Sequence, residues 1–332
     1  MCKLENTVKT IRWGIIGCGS VTEVKSGPGF QLAEHSSLQA AMRRNADLAR
    51  DYASRHGVPT WYDEAEALIN DPAVDAVYIA TPPNVHKDYT LMAAAAGKPV
   101  YVEKPMALNH RECQVMVQAC KQAGVPLFVA YYRRALPRFL KIKEVIESGV
   151  LGDVRCVNVT LYKPVESEEK DPQNLPWRVC PDISGGGHFV DLASHMLDFL
   201  DDAFGPIESV QGHATNQAGL YPAEDMVTGS FVFKSGIQGT GLWCATALDR
   251  QDRTEIIGTR GNLTYATFGN DPVELTTATG TEMLNLENPV HIQQPLIQTI
   301  VNALNGQGTC PSTGKTAART TWVMDQLLQH TE

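Results

Sequence analysis

Three groups of residues have the types and spacing to bind a phosphorylated ligand and move protons. The first is Gly17-Cys18-Gly19-Ser20-Val21-Thr22, directly after the apolar run Ile11-Arg12-Trp13-Gly14-Ile15-Ile16. Gly17 permits a tight turn, and Gly19 lets a pyrophosphate approach the backbone where a helix begins. Thr22 is large for a third position that packs helix on strand. A plain strand-to-helix loop is the alternative, but the β-α-β setting favours dinucleotide binding. The second group is Glu103-Lys104-Pro105, at a strand end on the edge where open α/β sheets bind ligands. A desolvated amine there can exchange a proton with a substrate oxygen. A surface lysine at a strand end accounts for it equally well. The third is Ser184-Gly185-Gly186-Gly187-His188-Phe189-Val190-Asp191-Leu192-Ala193-Ser194-His195. Asp191 and His195 share one helix face, where a carboxylate can orient an imidazole as a general base. A capping Asp with a core His is the alternative, against which the preceding glycines count.

The end of the second strand selects the cofactor. An NAD site places Asp or Glu about twenty residues beyond the glycine turn to bind the ribose 2′-hydroxyl. This chain has Met42-Arg43-Arg44-Asn45 there, two guanidinium groups and no carboxylate. The arginine fork suits a 2′-phosphate and its plane stacks on adenine, so NADP is expected in preference to NAD. Cys18, inside the turn, reads as a small buried residue with no nucleophilic partner.

The elements that must position these residues follow from periodicity. Strands at 11–17, 38–42, 75–80, 99–103 and 125–131 alternate with helices at 46–56, 89–96 and 111–123. Regular alternation of this kind predicts a doubly wound parallel sheet, a Rossmann-type α/β domain over residues 1–130. Gly27-Pro28-Gly29 predicts a break in the first helix. Beyond about residue 150, runs at 154–163, 207–214, 226–234, 237–247, 253–258 and 262–267 read as strands, several of them alternating polar with apolar residues. They predict an open, mainly antiparallel sheet, and two helices at 294–304 and 314–329 complete an α+β domain over 131–332.

The chain has 332 residues, enough for two domains. Its 37 acidic and 28 basic residues give a net charge of −9, which argues against nucleic-acid binding through phosphate contacts. No stretch approaches the roughly 20 apolar residues that span a bilayer. Met1-Cys2-Lys3-Leu4-Glu5-Asn6 lacks the apolar core of a secretion signal. The eight cysteines include no C-x-x-C pair, so neither a metal site nor a disulfide framework is expected and a reducing cytoplasm is the default.

Taken together, the glycine turn at 17–22, Ala80-Thr81-Pro82-Pro83-Asn84-Val85-His86, Glu103-Lys104-Pro105 and Gly185-Gly186-Gly187 followed by Asp191 and His195 resemble the Gfo/Idh/MocA oxidoreductases, the family of glucose–fructose oxidoreductase and inositol dehydrogenase. The pieces stand in the family's order and spacing across nearly the whole chain. The resemblance implies that Lys104 is the catalytic lysine, Asp191 and His195 its acidic and imidazole partners, and Pro105 a cis proline. It also implies that Thr81, Pro82, Asn84 and His86 border the cofactor near its nicotinamide end, with Glu103 beside Lys104. Thr22 and Ala193 stand where the family has smaller residues.

Substrate candidates flank these motifs. Trp177-Arg178 matches a pair the family often carries, Tyr132 and Arg133 begin the crossing between domains, and Tyr162 ends a strand of the second sheet. A Trp packing the domain joint and a structural arginine salt bridge are the plainer alternatives. The expected activity is NADP-dependent hydride transfer at a secondary alcohol or ketone of a sugar, polyol or related cyclic compound. In it His195 takes the hydroxyl proton, Lys104 steadies the alkoxide and Asp191 orients the His195–substrate pair, the proton acceptor being a coupled choice between His195 and Lys104. Transient oxidation with a retained cofactor and a non-enzymatic regulator are the alternatives. A sheet with one apolar face needs a cover, which predicts a homodimer or homotetramer.

Overall fold

Runs such as Ala76-Val77-Tyr78-Ile79 are apolar on both sides and are stable only in a sheet covered on both faces. The computed structural model describes residues 8–329 and places these runs in such a sheet. The Met1–Asn6 stretch lies outside the described residues. Strands β1 (Ile11–Ile16), β2 (Ser36–Met42), β3 (Thr60–Tyr62), β4 (Ala76–Ile79), β5 (Val100–Val102) and β6 (Leu127–Val129) pair in parallel in the order 3-2-1-4-5-6. Helices α1 (Ser20–Val24), α2 (Gly27–Leu32), α3 (Ala46–His56), α4 (Ala65–Asn70), α5 (His86–Ala95) and α6 (His110–Ala123) connect them. The order reverses between β1 and β4, and that switch point opens the crevice in which such sheets bind ligands. Asn45 and Asn109 start α3 and α6 by accepting from Leu48 and Glu112 N–H at 3.1 and 2.9 Å.

After α7 (Pro137–Glu147) come β7 (Val154–Tyr162), the short α8 (Pro181–Ser184) and α9 (Ser194–Phe204). Strands β8 (Ile207–Thr215), β9 (Met226–Phe233), β10 (Gln238–Cys244), β11 (Gln251–Gly258), β12 (Gly261–Tyr265), β13 (Val273–Thr277) and β14 (Gly280–Leu284) join β7 in one sheet. Its order is 14-13-12-11-7-10-9-8, antiparallel except for the β7–β10 pair. Helices α10 (Gln294–Leu304) and α11 (Gly314–Leu328) return to the first sheet. There α10 packs on α2 and α11 on α6, while Ser312 Oγ donates to Val129 O at 2.7 Å. The chain crosses from one sheet to the other after residue 130, and its last two helices hold both sheets together.

The apolar face of the second sheet is already covered. Val157, Val159 and Leu161 of β7, with Phe231 and Trp243, are buried in one core with Met196 and Leu197 of α9 and Leu327 of α11. The open face carries Asn158, Thr160, Gln211, Thr228, Ser230 and Thr240. An uncovered apolar face, the premise behind the expected oligomer, is therefore replaced by a polar one. Tyr162 has the parity of Asn158 and Thr160 and belongs to that open side.

Candidate active site

Gly17 adopts φ +94° and donates its N–H to Met42 O at 2.9 Å. A Cβ there would stand 2.8 Å from Thr81 Cγ2 and 3.0 Å from the Ala80 carbonyl, so the turn needs glycine. Gly19 opens outward: a Cβ would meet nothing within 4 Å, and α1 starts on it without a side-chain cap. Thr22 fits because its hydroxyl is satisfied within the turn, donating to Gly19 O at 2.9 Å, while its methyl is fully buried. The break predicted at Gly27 has a steric cause, since a Cβ at Gly27 would lie 2.1 Å from Thr22 O.

A cleft of about 520 Å³ begins at this turn. Gly17, Gly19, Ser20, Val21, Arg43 and Arg44 line one end, Thr81 and Pro82 the middle, and Glu103, Lys104, Trp177, Arg178 and Asp191 the other. Arg43 Nη1 donates to Cys18 O at 3.1 Å, and Arg44 is exposed beside it. Thr81 Oγ1 is buried in the cleft wall with no hydrogen-bond partner among the described residues. A free hydroxyl, an uncapped helix start and two guanidinium groups fit a dinucleotide lying along the cleft.

At the far end Lys104 Nζ donates to Asp191 O at 3.0 Å and forms a close ion pair with the Asp191 carboxylate. Arg178 Nε lies 3.6 Å from the other carboxylate oxygen, and its guanidinium stacks 4.6 Å from the Trp177 ring. Burial pushes the Asp191 carboxyl up, but Lys104, Arg178 and His188 together hold it below the usual carboxylate range. The peptide bond Lys104–Pro105 is cis, as the resemblance implies. Glu103 turns into the core, where its carboxylate accepts from Tyr78 Oη at 2.6 Å and Gln293 Nε2 at 2.7 Å.

His195 sits behind this pair. It is 3% exposed, and its ring lies 5.1 Å from Tyr132, 5.9 Å from Phe268 and 6.0 Å from Tyr131. Its Nδ1 has no partner among the described residues. Burial, then the charges of Arg133 and Lys104, depress the imidazole well below its ordinary range. The Asp191 carboxylate therefore serves Lys104 and Arg178, which corrects the reading of Asp191 as the group that orients His195. A local cause is the π turn Phe189–Ala193, in which four residues fall short of a full turn.

Other expectations shift similarly. His86 is fully buried, its ring nitrogens 2.8 Å from Thr81 O and 3.1 Å from Pro105 O. It ties two cleft-forming turns together from behind, and neither it nor Asn84 is among the residues that line the cleft. Tyr132 and Arg133 are buried too: Arg133 Nε donates to Thr267 O at 3.1 Å and the guanidinium lies 4.6 Å from the Phe268 ring. Tyr162, on the open side of the sheet, does not reach the cleft. Tyr89 and Leu48 do line it, with no signal in the sequence beyond their place on α5 and α3.

Burial lowers His86 as well as His195. Unfolding frees both rings to take up protons below about pH 6.5, so stability is fully present above that pH and declines as pH falls. The melting temperature is expected to drop between about pH 6.5 and 5, and His195→Asn to flatten the drop. An unchanged slope in that variant would contradict the buried, neutral imidazole.

Comparison with known proteins places this geometry in a family. The model described as "Oxidoreductase family, NAD-binding Rossmann fold" matches residues 11–131, and the GFO/IDH/MocA C-terminal domain matches 139–264. Oxidoreductase P35 of Formosa agariphila is 41% identical over 315 residues, 95% of this chain and 97% of that protein. A 1,5-anhydro-D-fructose reductase of Ensifer adhaerens is 29% identical over 317 residues, 92% of this chain and 91% of that protein. A levoglucosan dehydrogenase solved with NADH and levoglucosan shares the fold, with a TM-score of 0.85 at 22% identity over 96% of each chain. With both halves matched and the glycine turn, lysine and carboxylate converging on one cleft, the chain belongs to the Gfo/Idh/MocA family of oxidoreductases.

Proposed function

We propose that the protein is an NADP-dependent dehydrogenase or reductase acting on a secondary alcohol or ketone of a sugar, polyol or related cyclic compound. The observation that carries this reading is the Lys104–Asp191 ion pair at the end of the cleft that starts from the glycine turn. A nicotinamide dinucleotide bound there supplies or accepts the hydride. Gly17, Gly19, Ser20, Val21 and Thr81 would hold its phosphates and ribose, and Arg43 and Arg44 its adenosine end. In the reductive direction the Lys104 ammonium polarises the substrate carbonyl and gives its oxygen a proton. Asp191 keeps that ammonium charged and aimed, and in the oxidative direction the neutral Lys104 amine takes the hydroxyl proton as the hydride leaves the carbinol carbon. His195, buried and neutral, offers a hydrogen bond from the rear of the site. Trp177 gives an apolar face to a sugar ring, and Arg178 gives donors for its hydroxyls.

The 1,5-anhydro-D-fructose reductase and the levoglucosan dehydrogenase support a carbohydrate substrate. The NADH held by the latter makes cofactor choice the point to test. Arg44→Ser is expected to raise KM for NADP⁺ at least about tenfold while KM for NAD⁺ moves little, the loss of one charge-assisted phosphate contact. Equal change for both cofactors would overturn the 2′-phosphate assignment. A screen of sugars and polyols against NADP⁺ and NAD⁺, followed by absorbance of the reduced cofactor, tests the reaction. No turnover with any secondary alcohol would refute it.

A further inference from the structure

We propose that Glu169 is a positioning residue that fastens the segment carrying Trp177 and Arg178 to the turn carrying Asp191; this rests on the proposed function of that site. The chain leaves β7 at Lys163, reaches the cleft at Trp177 and Arg178 and enters α8. Between Pro164 and Arg178 every residue is exposed or half-buried except Glu169, which is 1% exposed. A carboxylate buried in an otherwise exposed loop must be compensated by donors, and Glu169 has three. Oε1 accepts from Lys163 Nζ at 3.2 Å and makes a close contact with His188 Nε2, while Oε2 accepts from Glu166 N at 3.1 Å. Lys163 and His188 are themselves buried. One carboxylate thereby joins the end of β7, the overlying strap and the residue just before the π turn of Asp191.

The far end of the strap is held differently. Val179 is fully buried against Tyr221 and Ala223, leaving the exposed run 170–174 between two anchors. With both anchors in place, Arg178 Nε stands 3.6 Å from the Asp191 carboxylate. Loss of the Glu169 charge leaves Lys163 only the exposed Glu166 carboxylate at 3.3 Å and His188 no carboxylate, and frees the entry half of the strap, so Arg178 is no longer held at the cleft. Glu169 touches no residue that lines the nucleotide end of the cleft, so cofactor affinity is expected to be indifferent to it.

The test uses Glu169→Gln, with Lys163→Met as a second variant should the first not fold. Tryptic cleavage after Lys170 and Arg178 in the full chain is expected to speed up about tenfold, since local opening governs such cleavage. On a substrate found in the sugar screen, KM is expected to rise about tenfold with kcat changed less than about threefold. The double variant with Arg178→Ala is expected to be no worse than Arg178→Ala alone, because both act through one contact. Unchanged cleavage, or effects that add fully in the double variant, overturns the proposal. Cleavage is read without substrate, so a wild-type protein that turns over no sugar sinks the functional reading alone and the clamp is judged by cleavage.

Discussion

Lys104→Met is expected to lower kcat by about 10³-fold or more while the reduced cofactor still binds with a Kd within about threefold of wild type. Among the described residues the side chain is the only amine on the cleft wall beside Asp191, and methionine keeps its length and most of its packing. What disappears is the proton donor for the substrate oxygen and the charge that faces a developing alkoxide. Asp191 in that variant keeps Arg178 at 3.6 Å, so the carboxylate is not left uncompensated and the fold is expected to persist. Steady-state rates with the best sugar substrate, paired with a fluorescence titration of the reduced cofactor, separate chemistry from binding. A loss confined to KM would show that Lys104 only holds the substrate.

The second large effect concerns the fold. Arg134 is 4% exposed and binds Asp198 through Nε and Nη2 at 2.8 Å each, Asp201 at 3.0 Å and Asp202 at 3.1 Å. Arg319 adds a second guanidinium to Asp201, at 2.6 Å. Even so, burial and the neighbouring Asp201 and Asp202 charges push the Asp198 carboxyl up to about 6. Arg134→Met leaves the buried Asp198 carboxylate without a counter-charge, while Asp201 keeps Arg319 and Asp202 keeps Lys143, and costs about 3–5 kcal/mol. The melting temperature is expected to fall on the order of 10 °C at neutral pH. The sign of the pH dependence is fixed by the raised carboxyl: without Arg134 it rises further and protonated Asp198 needs no partner, so the deficit shrinks as pH falls from neutral toward about 6 and levels off below. A deficit that stays constant from neutral pH to pH 5 would show that packing, not charge, is what Arg134 provides.

Much of this architecture was legible in the residues. Helix α3 matches the expected 46–56, with Asn45 capping its start, because cap and apolar spacing agree there. The strands of the first sheet stood out as runs buried on both faces. What stayed hidden was short or peripheral. Strand β3 has three residues, and β13 and β14 form the free edge of the second sheet, where only Val273 is buried and no alternation marks a core side. Helix α4 spans only six residues and shows its apolar side through Leu68 and Ile69.

The candidate site divides the same way. Gly17, Gly19, Arg43, Arg44, Lys104, Trp177, Arg178 and Asp191 reach one cleft as their motifs implied. Motifs name residues that lie close in sequence; they do not say which way a side chain turns. Glu103, next to Lys104, points into the core because Tyr78 and Gln293 offer it donors there. Asp191 serves Lys104, not His195, a pairing created by tertiary approach across 87 residues. Tyr162 fell on the open side because strand parity, fixed by Leu161 and Lys163 facing inward, decided it. Glu169 carries no signal in the sequence, since an acidic residue in a Ser-Glu-Glu-Lys stretch reads as solvated surface.

The most direct test of the central claim is a crystal structure with NADP⁺ bound. The account predicts the pyrophosphate at Gly17–Val21, the 2′-phosphate at Arg43 and Arg44, and the nicotinamide ring beside the Lys104 amine and the Asp191 carboxylate. A nucleotide bound elsewhere, or in this cleft with its nicotinamide turned away from Lys104, would contradict it.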